Sequence, residues 1–183
     1  LIISTIGAVL LAFTPTAPEI LSKMTATLRR VDAVEARVVR ERPDGEILEE
    51  KLLTVPVKPG TIQATQEILD LPYSVTTLPA GELSKMLPGL DSEDTPVTLG
   101  RLNGKVCYIL NGRNERLWIS KGDLLPRKIE ILGGDRLGSV YLYLDMIQLS
   151  PKVPYPSRTE VWQGGELILV ERLLPASASN REP

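Results

Sequence analysis

Apolar runs in the last third of the chain, separated by turn residues, set the narrowest limit on the fold. Leu125 to Leu132 runs into Gly133-Gly134-Asp135, and Ser139 to Leu144 follows. After Pro154-Tyr155-Pro156 come Thr159 to Trp162, a Gln163-Gly164-Gly165 turn, and Glu166 to Arg172. Short β-rich runs bounded by Gly, Pro and Asp predict strands of an antiparallel meander. Within Val140-Tyr141-Leu142-Tyr143-Leu144 and Leu167-Ile168-Leu169-Val170, apolar residues fall on both faces, because successive strand residues alternate sides. A sheet with one wet face has no use for this pattern. Both faces are therefore expected to be covered, by another part of a curved sheet, a helical segment, a bound lipid or a partner.

An amphipathic helix is available as one cover. Thr16-Ala17-Pro18-Glu19 has the form of a capping box, with Pro18 in a tolerated early position. Behind it Leu21, Met24, Leu28, Val31 and Val34 recur at spacings of three and four, which predicts a helix from Pro18 to about Val34 with one apolar face. The uncharged segment before it, Leu1 to Phe13, has the texture of the apolar core of an export signal. It is short for a membrane span, which needs about 20 apolar residues. An uncleaved N-terminal anchor and a buried core helix stand as the alternatives.

Between these ends the turn signals place further strands. Pro43-Asp44-Gly45 divides a charged hairpin, Val34 to Val38 and Glu46 to Val55. Asn103-Gly104 divides Val97 to Leu102 from Lys105 to Leu110. Asn111 to Asn114 and Lys121 to Asp123 flank a strand at Glu115 to Ile119. Pro56 and Pro59 point to an edge or broken strand. Ala80 to Leu87 has room for a turn or two of helix, and Asp91-Ser92-Glu93-Asp94 is expected to be a solvated acidic loop without the ligand spacing of a calcium loop. Pro175 to Pro183 is expected to be a flexible tail. One domain, residues 18–174, follows a leader or anchor at residues 1–17.

Composition narrows the chemistry. The absence of histidine removes the usual general base, the commonest metal ligand and the usual neutral-pH switch. A single cysteine, Cys107, permits neither an internal disulfide nor a thiolate zinc cluster, and within a strand it is expected to be a small core residue. A net charge of -2 supplies no basic field for nucleic acid. No phosphate loop, nucleophile elbow, zinc helix or dinucleotide fingerprint is present. No cofactor and no metal are expected. A carboxylate pair acting as acid and base stays open as the enzymatic alternative.

The order and texture of the chain resemble the LolA-like family of periplasmic lipoprotein carriers and lipoprotein-binding proteins. The likeness lies in the apolar leader, the helix running into a strand (Leu21 to Arg40), the Pro-Asp-Gly hairpin, and a meander containing Leu117-Trp118-Ile119, Leu125 to Glu130 and Tyr155-Pro156-Ser157-Arg158. The resemblance implies an α+β fold: an incomplete, open antiparallel β-barrel whose concave apolar face is covered by the N-terminal helix. It implies a non-enzymatic, monomeric periplasmic protein, secreted or held at the inner membrane, whose partners are the acyl chains of a lipoprotein or lipid. An envelope sensor or assembly module of the same fold, reading a membrane or envelope protein, is the second expectation. The family's arginine-proline pair has its nearest match in Lys58-Pro59, and lysine lacks the planar donor fork of arginine. The residues expected to line a ligand cavity are Leu21, Met24, Leu28, Lys58, Val140, Leu142, Leu144, Leu167 and Leu169.

Overall fold

The computed structural model describes residues 14–28, 34–55, 89–150 and 153–175. These form one helix, α1 (Ala17–Leu28), and nine strands: β1 (Val34–Glu41), β2 (Ile47–Val55), β3 (Val97–Leu102), β4 (Lys105–Asn111), β5 (Glu115–Ser120), β6 (Pro126–Ile131), β7 (Ser139–Ser150), β8 (Val153–Gln163) and β9 (Glu166–Pro175). The strands make a single antiparallel sheet in the order β2-β1-β9-β8-β7-β6-β5-β4-β3. Chain order is kept from β3 to β9, as a meander requires, and the first hairpin docks on the last strand. The sheet is open, with β2 and β3 as its outer strands.

Turn chemistry fixes this register. Asn103 and Gly104 both take positive φ, 49° and 77°, the pair a two-residue primed hairpin turn demands. Gly164 and Gly165 repeat the arrangement at the β8–β9 tip. In the first hairpin Arg42 N–H donates to the Glu46 carbonyl at 2.8 Å, while the Asp44 carboxylate accepts from Glu46 N–H at 3.1 Å.

The capping box forms as written. Thr16 N–H donates to Glu19 Oε2 at 3.1 Å, and Glu19 N–H meets Thr16 Oγ1 at 3.5 Å. The helix begins at Ala17, which is fully buried in the core, so the folded unit includes a residue that the sequence pattern assigns to the leader. Its described span is twelve residues, about 18 Å at 1.5 Å per residue, and residues 29–33 lie outside the described residues. Val34 opens β1, where the first strand of the charged hairpin is expected to begin. Ala17, Ile20 and Met24 supply the buried stripe, with Leu21 at its margin. Sequence spacing centres the stripe on Leu21, one step further round.

Two proline signals are stronger in the sequence than in the fold. Pro154 and Pro156 lie inside β8, paired with Gln148 and Met146 of β7. Among the described residues the β8–β9 pairing begins at Arg158, so both prolines sit where only β7 pairs with β8 and a missing N–H breaks no second described ladder. Pro175 likewise closes β9 opposite Ala36 of β1 and does not start the tail.

Candidate functional site

The helix settles on one face of the sheet, and strand alternation decides which residues it meets. Ala17, Ile20 and Met24 join a continuous buried cluster with Ala36, Leu110, Leu117, Ile119, Leu125, Ile129, Ile131, Tyr141, Tyr143 and Val161. Leu21, Tyr108, Leu169 and Leu173 pack at its edge. Apart from the hydroxyl groups of its tyrosines, the cluster is built of apolar side chains. Burying a side chain such as Ile20 or Met24 contributes about 1.5–3 kcal/mol, which is what seats so short a helix.

A polar row crosses the same face beside this cluster. Tyr143 pairs with Thr159, Thr159 with Glu171, Glu171 with Arg40, and Arg40 with Glu49, and directly paired residues share a face. Arg40 Nε donates to Glu171 Oε2 at 3.0 Å, and Arg40 also donates to Glu49 Oε2 at 3.1 Å. The Lys51 ammonium beside Glu49, together with Arg40, holds the Glu49 carboxyl below its ordinary range in spite of partial burial. At the other end Tyr143 is 2% exposed, and its hydroxyl has no hydrogen-bond partner among the described residues. Burial first, then the nearby Glu171 charge, pushes that hydroxyl well above the usual tyrosine range, so it stays protonated. Glu115, also buried and paired with Ile131 on this face, has its carboxyl raised by desolvation.

The opposite face is dressed by long side chains. Trp118 lies over Gly100 and donates its indole N–H to Glu130 Oε2 at 2.9 Å, with the Lys128 ammonium 5.3 Å from its ring centre. Burial works to raise the Glu130 carboxyl, but Lys128, Trp118 and Arg116 outweigh it and hold the group below its usual range. Trp162 is pinned in the same manner, donating to Glu160 Oε2 at 3.1 Å. Cys107 is buried and free, paired with Ser120 across β4–β5, and burial pushes its thiol up, away from the reactive thiolate.

Of the residues expected to line a cavity, the structure brings Leu21, Met24 and Leu169 together at the helix-bearing cluster. Val140, Leu142 and Leu144 alternate with Tyr141 and Tyr143, so they fall on the face away from α1. There they are half-buried beside Trp162, Glu160 and Arg158. The correction has a simple cause: in a strand apolar on both faces, hydrophobicity does not reveal the phase, and here the tyrosines occupy the core side. Leu167 pairs with Trp162 at a bulge, half-buried. Leu28 ends α1 with its side chain outside the described set, and Lys58 lies outside the described residues, as do Leu1 to Phe13 and Ala80 to Leu87. The row from Tyr143 to Glu49 is not evident from the sequence pattern. The charged pair Glu171-Arg172 inside the apolar run Leu167 to Leu174, and Arg40 following Val38 and Val39, are the signals that point to it.

A separate open depression of about 480 Å³ lies at the β5–β6 turn, lined by Lys105, Val106, Ser120, Lys121, Gly122 and Asp123. Its lining shares no residue with the helix-bearing cluster. Among the described residues no group of three or more histidine, cysteine or acidic side chains could hold a metal ion. No described helix is long and apolar enough to cross a membrane.

No protein-family model matches the chain, and no curated relative does. Among solved structures the chain is similar to a DUF1329 family protein from Desulfovibrio piger at 12% identity, covering 90% of this chain and 93% of that one with a TM-score of 0.50. A LolA superfamily protein from Nitrosomonas europaea follows at 14% identity, 88% and 91% coverage and a TM-score of 0.49. An outer membrane lipoprotein-sorting protein domain from Vibrio parahaemolyticus has 8% identity, 90% and 94% coverage and a TM-score of 0.45. The Desulfovibrio likeness is one of fold; the other two are weaker in shape, and all three are too remote in sequence to carry an activity across. An open antiparallel sheet and an N-terminal helix, the α+β elements that the sequence resemblance implies, are both present.

Proposed function

We propose that this is a non-enzymatic, monomeric periplasmic protein that binds acyl chains of a lipoprotein or lipid between α1 and the sheet, in transit toward the outer membrane. The observation that carries the reading is the apolar cluster itself: a twelve-residue helix seated by Ala17, Ile20 and Met24 on a broad aliphatic and aromatic face of an open sheet. Acyl burial is favourable by about 0.8 kcal/mol per methylene, so such a face needs no catalytic group to hold a lipid. Leu21, Met24 and Leu169 are the contact residues, with Tyr141 and Tyr143 beneath them. The likeness in fold, and the LolA-like texture of the sequence, support a cell-envelope setting.

Two assays test the reading together. Native mass spectrometry of protein purified from membranes should show co-purified lipid, and the stripped protein should take up a fluorescent fatty acid. Absence of both signals overturns it.

One observation favours a second reading. Ile20, Met24, Leu117, Ile119 and Ile129 are each 1% exposed or less, so the seated helix leaves these core residues closely covered. A filled core suits an envelope sensor or assembly module that binds a protein partner with its outer surface. Lipid in the purified protein decides for the first reading.

A further inference from the structure

The polar row on the helix-bearing face has one closed end and one open end. Glu171 is held by Arg40, Arg40 reaches on to Glu49, and Lys51 beside Glu49 supplies the second cation, so the charges at that end are matched. Tyr143 is the open end, inside the same cluster as Ile20, Met24 and Tyr141, with a buried hydroxyl and no partner among the described residues. A phenolic hydroxyl both donates and accepts, and a buried one is nearly always engaged. Leaving this one idle costs stability that a phenylalanine would not cost.

We propose that the Tyr143 hydroxyl is the hydrogen-bond donor for the acyl carbonyl of an ester-linked ligand lying along the helix-bearing face. The inference rests on the acyl-binding reading and adds to it a ligand class. An apolar face retains any alkyl chain; an unpaired donor within it selects chains that carry a neutral acceptor. Glu171, two strands away in the same row, acts electrostatically on Tyr143 and opposes an anion there, so a carbonyl suits the position better than a carboxylate. The hydroxyl lies buried in the cluster that α1 helps to build, so a chain that reaches it must open that cluster.

Two lipid probes test this. A fluorescent fatty acid bound to the full chain is displaced with 1,2-dimyristoylglycerol or with its ether twin, 1,2-di-O-tetradecylglycerol, using the native protein and Tyr143→Phe. The native protein should prefer the ester by about fivefold, the span of one neutral hydrogen bond. Tyr143→Phe should bind both probes as the native protein binds the ether, and without ligand it should melt at a higher temperature. Equal affinity of the native protein for the two probes, or a preference that survives in Tyr143→Phe, overturns the inference while acyl binding stands. If the native protein takes up none of the three lipids, the acyl-binding reading falls and the inference with it. Should Tyr143→Phe fail to fold, the native ester-to-ether ratio decides alone.

Discussion

Arg40 Nε donates to Glu171 Oε2 at 3.0 Å, tying the first hairpin to the last strand across 131 residues of chain. The hairpin docks on β9 with no covalent help, and this ion pair lies on the helix-bearing face at the join, where the Arg40 and Glu171 side chains are 13% and 9% exposed. Breaking a pair this buried leaves a charge without its counterpart, whereas removing both partners restores much of the loss. Arg40→Ala should lower unfolding stability by about 3–5 kcal/mol, and Arg40→Leu combined with Glu171→Leu should recover most of it. Urea unfolding of the two variants measures this; a double variant as unstable as the single one would show that the pair is not the join.

Gly100 is required where Trp118 crosses β3. A Cβ there would come within 2.9 Å of Trp118 Cζ3 and 2.6 Å of Ile109 Cδ1. The isoleucine methyl can turn away, but the indole is fixed by its hydrogen bond to Glu130. Gly100→Ala should therefore cost about 1–3 kcal/mol as overpacking and shift the tryptophan emission. In a Trp118→Leu background the same substitution should cost less, and equal costs in both backgrounds would contradict the contact.

Burial raises the Glu115 carboxyl above its ordinary 4.5, and this gives stability a definite pH dependence. A carboxyl raised in the folded state adds stability that is complete below its ordinary value and is lost as pH climbs through the raised one. Relative to the native protein, Glu115→Gln should gain stability as pH rises from about 4, then level off. The carboxyls held low, Glu49 and Glu130, have the opposite slope but are common to both proteins and cancel in the difference. Melting curves across the acidic to neutral range that differ by a constant amount would rule this out.

The helix depends on its cap as much as on its apolar stripe. Thr16→Ala removes the side-chain acceptor for Glu19 N–H and should cost about 1 kcal/mol. Thr16→Ser should cost much less. Circular dichroism during thermal unfolding compares the two, and an equal loss in both would mean that the hydroxyl is not the capping group.

Local chemistry makes much of this fold legible in the sequence. Asn103-Gly104, Pro43-Asp44-Gly45 and the Thr16 to Glu19 box each specify their own geometry through a few adjacent residues, and each forms. Long-range features are harder to read. That β1 pairs with β9 depends on contacts such as Arg40 with Glu171, which no short window contains. Pro154 and Pro156 mislead because their cost depends on whether a second strand pairs there, a property of the sheet and not of the strand. The site is half legible: Met24 and Leu21 follow from helical spacing, but Val140, Leu142 and Leu144 lie on the side opposite to the one expected. Val140, Leu142 and Leu144 are apolar on the far face while Tyr141 and Tyr143 are largely apolar on the near one, which hides the phase of β7.

The two tryptophans allow the central claim to be tested on one sample. Both lie on the face away from α1, paired with Lys128 and Val140 respectively, whereas Leu21 packs at the edge of the helix-bearing cluster. Brominated fatty acids quench tryptophan only near contact, so they report which face the chain occupies. In Leu21→Trp the added fluorescence should be quenched on saturation with 9,10-dibromostearate, while the native protein, with Trp118 and Trp162 alone, stays bright. Quenching of the native tryptophans with the Leu21→Trp signal untouched, or no quenching in either protein, would contradict an acyl site between α1 and the sheet.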